Sequence, residues 1–456
     1  MVMNMRVLHY TLGLPPYRTG GLTKYATDLM LSQAEAGDSV ALLWPGRYLV
    51  WNRKTIIERQ LSYYHIENYE LLNPKPVPLL NGVKDVHPFT SKGEISLYLD
   101  FFRKICPDVI HVHTLMGIHR EFFEAGVKLH IPIIYTAHDY FGLCPKVNFF
   151  YKDKVCPGMG NRCQNCNEAG LDFWKIVILQ SGIYKRWKED FIVKSLRSYG
   201  KKKMIKRRTG EGKAEQKGGR EYWRLAQYYK SIFHQVNRIH YSSSLAKEVY
   251  EDRGIKVKGT VLPITHRDIK DHRMRKKYKG RLLKITYLGD LLPHKGFQVL
   301  YKVLTNMWEE EKKQFILNIF FPLSKKEPFV KIHSRYNYDE IGNIMNHTDV
   351  VVVPSLWKET YGFVVLEALS YGVPVIVSEN VGAKEWIKDR GTSYGMKDGD
   401  LYRVLNSIYK DREILKRWNE NICKMDFSFC MNNHVKEIRS LYNAVIPWEG
   451  YKGQVR

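Results

Sequence analysis

Two acidic residues, Glu359 and Glu367, lie on either side of a predicted helix start in the segment VVVVPSLWKETYGFVVLEALSYGVPVIVSENVG. The valines predict a buried strand, and Gly362 is expected to begin a helix whose first turns carry Phe363, Val364 and Glu367. The first N–H groups of a helix and its positive dipole end bind anions such as a diphosphate. Carboxylates accept hydrogen bonds from hydroxyl groups. The pattern therefore predicts a site for a ligand that carries both phosphates and hydroxyls.

Three further positions follow predicted strands and could complete that site. Lys295 precedes an amphipathic helical pattern and carries a positive charge. Gly20 and Gly21 follow the first strand, where a turn would let backbone amides approach an anion. His138, in IPIIYTAHDY, ends another strand, and α/β sites collect at the carboxyl ends of parallel strands. An isolated histidine is more often structural, but this surrounding pattern favours a functional role.

Four cysteines follow the His138 strand within one loop that is rich in Gly and Pro. They are Cys144, Cys156, Cys163 and Cys166. The last two have the spacing of a zinc knuckle, and four thiolates can close a tetrahedral shell. Structural zinc, free thiols and an iron–sulfur cluster all fit this pattern, whereas disulfides do not suit a reducing cytoplasm. A closed four-thiolate shell would leave no open position for catalysis.

No catalytic metal is expected elsewhere. Asp398 and Asp400 form an Asp-x-Asp pair, the type of motif that holds a divalent cation at a diphosphate in a different architecture. Here the pair comes directly before the helical pattern LYRVLNSIYK. Since Asp is a preferred residue at helix N-termini, an N-terminal cap is the simpler interpretation.

The elements that must position these groups alternate between short apolar strands and longer helical patterns. Strands are predicted at residues 7–10, 39–44, 108–113, 131–137 and 238–242, and again at 284–289, 315–321, 349–354 and 374–378. Near-continuous apolar strands separated by helices predict parallel sheets covered on both faces. A chain of 456 residues exceeds one hydrophobic core. We therefore predict an α/β protein with two doubly wound domains.

A polar and basic segment after residue 263 is the predicted boundary between those domains. The predicted N-terminal domain spans residues 1–265, with the Cys-rich loop at 144–166 and a basic insertion at 185–220. The predicted C-terminal domain spans residues 266–425. A last helix within 426–456 is expected to pack back on the N-terminal domain.

Net charge and hydropathy bear on location and partners. The formal net charge is +25, and residues 201–220 hold nine Lys or Arg against two Glu. The preceding stretch LDFWKIVILQSGIYKRWKEDFIVKSLR has the pattern of a helix on an anionic membrane, although a core helix followed by a solvated loop also explains it. Nucleic acid is disfavoured because aromatics do not interleave with these charges. No signal segment or membrane span is recognised, which predicts a cytoplasmic protein.

The double-glutamate segment followed by GVPVI resembles the signature of retaining glycosyltransferase family 4, which has the GT-B fold: two Rossmann-like domains facing each other across a cleft. The resemblance implies that Glu359 contacts hydroxyls of a donor sugar, that Glu367 holds the ribose and that Lys295 neutralises the donor phosphates. Many relatives carry an arginine after the strand glycine, where this chain has Asp290. Arg267, Arg281 or a backbone amide could replace that phosphate contact.

In the N-terminal half, the resemblance extends to the glycine-rich loop at Gly20 and Gly21 and to the His138 strand end, which would face the reacting sugar. Some relatives carry a Cys-rich insertion at the same place. The family implies a UDP- or GDP-sugar donor, a glycan or lipid-linked acceptor in cell-surface polysaccharide synthesis, and a peripheral position on the inner face of the plasma membrane. The alternatives are an epimerase of the same fold, or a non-catalytic membrane or nucleic-acid adaptor on a decayed transferase.

Overall fold

The fold is described from a computed structural model that covers residues 4–49, 51–78, 82–182, 219–278, 280, 282–310, 312–324 and 326–447. Almost all of the predicted basic insertion at 185–220, and the second half of the predicted amphipathic helix, lie outside these described residues. Two large sheets organise the described chain, and each is built from one half of the sequence.

The first half forms an eight-stranded sheet with the order β10-β9-β6-β5-β1-β2-β4-β3. Its strands are β1 (Arg6–Tyr10), β2 (Ser39–Pro45), β3 (Ile56–Tyr63), β4 (Ile66–Leu72), β5 (Val109–Val112), β6 (Ile133–Ala137), β9 (Arg238–Tyr241) and β10 (Gly259–Val261). All neighbours are parallel except β3 and β4. A small hairpin, β7 (Phe150–Tyr151) and β8 (Lys154–Val155), lies in the Cys-rich loop.

The second half forms a six-stranded parallel sheet with the order β13-β12-β11-β14-β15-β16. Its strands are β11 (Leu283–Tyr287), β12 (Phe315–Ile319), β13 (Val330–Ile332), β14 (Val350–Val353), β15 (Val375–Ser378) and β16 (Gly391–Tyr394). The β14 valines are buried, as expected for a central strand covered on both faces. The predicted α/β class with two parallel sheets is confirmed.

Helices connect the strands, and we number those of the described residues in chain order. The first half holds α1 (Gly21–Glu35), α2 (His87–Thr90), α3 (Ile95–Ile105), α4 (Arg120–Lys128), α5 (Arg162–Asn167), α6 (Phe173–Leu179), α7 (Gly219–Phe233) and α8 (Ser244–Asp252). The second half holds α9 (Phe297–Glu309), α10 (Ile341–Asn346), α11 (Phe363–Ser370), α12 (Asp400–Lys410), α13 (Glu413–Lys424) and α14 (Met431–Asn443). In the described chain, none of them is long and apolar enough to cross a bilayer.

Several sequence expectations differ in detail from this architecture. Five strands of the two large sheets were not predicted: β3, β4, β10, β13 and β16. All but β4 are edge strands that are partly exposed and give no buried apolar run, and β4 interrupts its apolar residues with Glu67, Asn68 and Glu70. Helix α6 ends at Leu179 instead of continuing through the basic stretch. Asp398 does not cap α12: Gly399 occupies the N-cap, and the Asp400 carboxylate in the first turn pairs with Arg403.

The last helix, α14, lies against the N-terminal sheet. The Tyr442 hydroxyl bonds to His111, and the Arg439 guanidinium pairs with the buried carboxylate of Asp38 at 2.7 Å. The predicted boundary at residue 265 lies between β10 and β11, and the first residues beyond it also contact α1, since Arg267 pairs with Glu35. One apolar cluster runs from the N-terminal sheet through α14 to α11, so the two halves share part of their core.

Candidate active site

The centre of the candidate site is a half-buried ion pair at the carboxyl end of β14. The Lys295 ammonium lies 2.6 Å from Oε1 of Glu359, and the Ser355 hydroxyl donates to the other carboxylate oxygen. The backbone of Glu359 is fixed as well, because its N–H donates to Asn380 O at 2.8 Å. The Trp357 ring lies under the ammonium at 5.4 Å. Two of the predicted site residues, Lys295 and Glu359, are therefore in direct contact.

These contacts keep the Glu359 carboxyl charged. Burial by itself raises a carboxyl pKa, since it disfavours the charged form. The positive charge of Lys295 and the hydrogen bonds from Lys295 and Ser355 outweigh burial and hold the pKa of Glu359 below its ordinary value. The site thus contains a carboxylate that accepts hydrogen bonds at neutral pH.

Glu367 lies in the second turn of α11 and contacts a separate group of side chains. Its carboxylate accepts a hydrogen bond from the Tyr338 hydroxyl and lies 3.4 Å from Nε2 of His266. Burial, followed by the nearby Glu367 charge, raises the pKa of Tyr338. Glu367 is only slightly exposed. The two glutamates therefore have different partners, and the tip of α11 lies between them.

Glycines shape the backbone at both helix starts of the C-terminal site. Gly362, the N-cap of α11, has φ of 100°, a left-handed conformation that favours glycine. Gly296 has φ of 75°, and a Cβ there would lie 1.7 Å from Pro354 O. The turn that carries Lys295 can therefore lie this close to Pro354 only because residue 296 has no side chain. Phe363 and Val364 are half-buried at the start of α11.

The N-terminal half meets this site from the opposite side. Gly20 is the N-cap of α1 with φ of 117°, and a Cβ placed on Gly21 would lie 3.3 Å from the Phe363 ring. The carbonyl of His138 accepts a hydrogen bond from the Thr360 hydroxyl at 2.8 Å. The fold thus brings the predicted N-terminal site residues up to the Glu359 loop and the α11 tip.

The four predicted metal-ligating cysteines line one small, partly open cavity of about 10 Å³. All four are free. Burial raises the pKa of Cys144 to about 12 and that of Cys166 to about 11. Backbone N–H groups of Phe149 and Gly160 point at Cys144 and Cys163, both at 3.4 Å.

Sequence reasoning missed some residues that hold the site together. Ser355 fixes Glu359, and His266 faces Glu367. Thr360 connects the two halves, because its hydroxyl donates to His138 and its carbonyl accepts a hydrogen bond from Ser243 at 2.7 Å. Each stands beside a recognised motif, but nothing in the spacing indicates its partner.

Arg267 is one candidate to replace the arginine that many relatives place at the position of Asp290. In this structure its guanidinium pairs with the Glu35 carboxylate on α1. Arg281, the other candidate, lies outside the described residues. Lys295, which pairs with Glu359, and the backbone amides of the α11 start are groups of the described chain that a diphosphate could contact.

We predict that Lys295→Met raises the pKa of Glu359 above its ordinary value. With the ammonium removed, burial becomes the dominant influence on a carboxyl that the fold still encloses. In the wild-type protein the lowered pKa stabilises the fold above the unfolded-state pKa, and this stabilisation is lost as pH falls through the folded-state pKa. The variant reverses that sign, and its unfolding free energy at pH 7 should fall by about 3 kcal/mol.

Carboxyl-carbon NMR titration of Glu359 measures the pKa directly. Lys358→Met is the matched control, because Lys358 is next in sequence but pairs with Glu248. A Glu359 pKa that stays low in Lys295→Met would contradict the assignment of the ion pair.

Comparison with known proteins places these residues in a wider group. The family "Glycosyl transferases group 1" matches residues 324–425, which include both glutamates and α11. Over 102 residues the chain is 32% identical to D-inositol 3-phosphate glycosyltransferase of Arthrobacter sp. (strain FB24), covering 22% of this chain and 24% of that protein. The matches to curated relatives span 24–29% of those relatives' lengths.

Solved structures resemble nearly the whole chain. Sucrose-phosphate synthase from Thermosynechococcus elongatus aligns with a TM-score of 0.57 at 13% identity, covering 97% of this chain and 99% of that one. Anabaena HepE in complex with UDP-glucose aligns with a TM-score of 0.54 at 12% identity, covering 96% and 100%. At such identities the likeness shows the fold alone. The chain has the GT-B fold, with two Rossmann-like domains, and its C-terminal half carries a segment matching the group 1 glycosyl transferases.

Proposed function

We propose that this protein is a retaining glycosyltransferase of family 4 that moves a sugar from a nucleotide donor to a glycan or lipid-linked acceptor. The observation that carries the proposal is the meeting of Lys295, Glu359 and the α11 tip with Gly21 and His138 from the other half. Cell-surface polysaccharide synthesis in the cytoplasm is the proposed context. The matched family and relatives are glycosyltransferases, which supports this interpretation.

The proposed donor is a UDP- or GDP-sugar. HepE was solved with UDP-glucose and a starch synthase with ADP, so neighbours of the same fold hold nucleotides. In this chain the α11 N-terminus would bind the diphosphate, and Lys295 would share its charge between Glu359 and the phosphates. Glu367 would accept the ribose hydroxyls, with Tyr338 beside it. Glu359 and His138 would orient the sugar.

The reaction breaks the bond between the anomeric carbon and the diphosphate oxygen, and the electron pair leaves with the diphosphate. The acceptor oxygen bonds to the same face of the anomeric carbon, and its proton passes to the departing phosphate oxygen. Negative charge therefore develops on the diphosphate, and Lys295 and the α11 amides would stabilise it. The direct bonds between the two halves at Thr360 would exclude water, which could otherwise hydrolyse the donor.

We further propose that the Cys-rich loop holds a structural zinc ion. The four free thiols line one small cavity, and backbone N–H groups aimed at two of the sulfurs would stabilise thiolates. No three of these sulfurs lie within 4.8 Å of one another in the described chain, so zinc binding would have to draw the loop together. Without a cation the raised thiol pKa values would keep these cysteines protonated, so metal binding must release protons. The loop would then shape the acceptor side of the cleft.

An anionic membrane is the proposed surface on which the acceptor is presented. Helix α6 exposes Trp174 (60%) and Ile178 (51%), with Lys175 between them. Trp51 is 96% exposed, and the Tyr48 strand bridge to Ser181 places its segment near α6. Nine Lys or Arg follow at 201–220. Exposed aromatic residues beside basic charge suit insertion at lipid headgroups.

We predict that Glu359→Gln lowers kcat/KM for sugar transfer at least about 100-fold, because the neutral amide cannot replace a charged acceptor next to Lys295. Glu367→Gln should mainly weaken nucleotide binding, seen as a smaller thermal shift with UDP or GDP. Glu379→Gln is the control, since Glu379 is exposed. Full transfer by Glu359→Gln would overturn the proposal, and isomerisation of the donor without an acceptor would indicate an epimerase.

Metal analysis of the purified protein should give about one zinc per chain. Cys163→Ser should lose the zinc and lower the melting temperature, because the binding energy contributes to folding. Cys423→Ser, outside the loop, should keep both. A wild-type protein that contains no zinc and whose four loop thiols react freely with a thiol reagent would contradict the site, and a visible absorption band would indicate an iron–sulfur cluster.

Flotation with vesicles containing anionic phosphatidylglycerol tests the membrane proposal. Trp174→Ser and Ile178→Ser should each reduce the bound fraction, by roughly three- to tenfold in partition coefficient, because each removes apolar area that would be buried in lipid. Leu61→Ser is the matched control, since Leu61 is 91% exposed at the far end of the edge strand β3. Equal binding by all variants, or no binding at low salt, would contradict this surface.

A further inference from the structure

A chain of buried hydrogen bonds runs below the cleft, through the N-terminal sheet, and ends at His138. Its members come from five strands or strand ends and from helices α1 and α14. In order they are the carbonyl of Leu262 and the side chains of His240, Thr136, His111, Tyr442, Gln33, His9, His113 and His138. All of these side chains but His138 are fully or almost fully buried. In such a chain, the hydrogen-bonding role of the group at one end determines which atom carries the proton at every other position.

The direction is set at Leu262, because a carbonyl oxygen can only accept. Nε2 of His240 lies 2.7 Å from that oxygen and must donate to it, which leaves Nδ1 of the neutral ring as an acceptor. The Thr136 hydroxyl, 3.0 Å away, therefore donates its single proton to His240. The Thr136 oxygen must then accept the bond from Nε2 of His111 at 2.6 Å.

The same reasoning continues through Tyr442 and Gln33. With its proton on Nε2, His111 offers Nδ1 to the Tyr442 hydroxyl at 2.7 Å, so the hydroxyl donates there. The Tyr442 oxygen then accepts from the Gln33 amide at 3.1 Å. This orients the Gln33 carbonyl toward His9, which must donate from Nε2 at 2.8 Å.

The chain reaches the cleft through two more imidazoles. Nδ1 of His9 accepts from Nε2 of His113 at 3.0 Å, and Nδ1 of His113 accepts from Nε2 of His138 at 3.2 Å. Nδ1 of His138 then carries a lone pair. It has no hydrogen-bond partner among the described residues, and unlike Nδ1 of His266 and of His434 it is not sealed from solvent.

Every imidazole in the chain is neutral, as the reasoning requires. Burial lowers the pKa of His9 and of His240 to about 3, and burial with neighbouring histidines lowers the pKa of His111, His113 and His138 well below the ordinary value. His9, His111 and His113 also lie close enough together to resemble a metal site. All six of their ring nitrogens are engaged in this chain, so the arrangement favours hydrogen bonding over metal ligation.

We propose that this chain fixes His138 as the Nε2–H tautomer, so that its bare Nδ1 acts only as a hydrogen-bond acceptor in the cleft. The group it receives must then be a donor such as a sugar hydroxyl or amine, and an acceptor-only group such as a carboxylate is rejected. This inference rests on the proposed function for the identity of the ligand. Thr136, Gln33 and Tyr442 are positioning residues for His138.

One carbonyl selects between two complete arrangements. Reversing every proton in the chain, with the Gln33 amide turned over, satisfies all the side-chain bonds equally well and makes Nδ1 of His138 a donor. The reversed chain fails only at Leu262, where the bare Nε2 of His240 would face a carbonyl oxygen. Removing the link between His240 and His111 should therefore free the tautomer of His138.

The test is the imidazole nitrogen spectrum of the ligand-free, ¹⁵N-histidine-labelled protein. Wild-type His138 should show a single Nε2–H tautomer at pH 7. Thr136→Val, which removes the coupling hydroxyl, should give a mixture of both tautomers, and so should Tyr442→Phe, which keeps the ring packing. Thr114→Val is the control, because Thr114 is equally buried but binds only the Met116 N–H. An Nδ1–H or charged His138 in the wild type, or no change in either variant, would overturn the proposal.

Kinetics give an independent readout. If the two tautomers become equally populated, Thr136→Val should raise KM for the nucleotide sugar about twofold, since only half the molecules are competent. Inhibition by the nucleoside diphosphate alone, which lacks the sugar, should not change. If the protein transfers no sugar but His138 has one fixed tautomer, the proposed function is wrong and the hydrogen-bonded chain stands. If the enzyme is active but wild-type His138 shows both tautomers, the hydrogen-bonded chain is wrong and the proposed function stands.

Discussion

A buried carboxylate must be compensated, and much of the architecture around the cleft follows from compensating Glu359. An unpaired charge in this enclosed position would cost several kcal/mol or would be neutralised by protonation. The chain supplies Lys295 from the turn before α9 and Ser355 from the end of β14. Gly296 lets that turn approach the end of β14 closely. Two strand ends of the six-stranded sheet are thereby tied together around one charged group.

The loop that carries Glu359 also joins the two halves of the protein. Thr360, next to Glu359, donates to the carbonyl of His138 and accepts from Ser242 and Ser243. Helix α14 forms a second connection, because it leaves the C-terminal half and buries Tyr442 and His434 against the N-terminal sheet. The charged site, the α11 tip and the histidine chain are therefore parts of one connected structure. Any movement between the halves must alter the contacts at Thr360 or at α14.

The neighbours of each buried titratable group in this structure decide whether that group is neutral or charged. The histidines below the cleft are enclosed among other uncharged rings, and their pKa values fall, so they form a directed set of hydrogen bonds instead of a cationic cluster. Glu359 is less deeply buried and faces an ammonium, so its charge is kept. Burial dominates at Cys144 and also at Cys166, where the nearby Lys146 lowers the thiol pKa only in part, so both thiols are protonated. Local partners, and not residue type alone, decide the protonation state of each group.

The sequence by itself determined the α/β class, nine strands of the two large sheets and the residues at their ends, because apolar runs and Gly-led helix starts are local patterns. It indicated Glu359, Glu367, Lys295 and the four cysteines, but not that Lys295 binds Glu359 while Glu367 binds Tyr338. It also missed the four edge strands, β4 and the histidine chain. Those histidines are scattered over the chain from His9 to His240, and only the pairing of parallel strands brings them within hydrogen-bond distance. Helix and strand propensities depend on residues that are neighbours in the sequence. Contact partners, burial and pKa values depend on residues that are distant in the sequence, and only the tertiary structure brings those residues together.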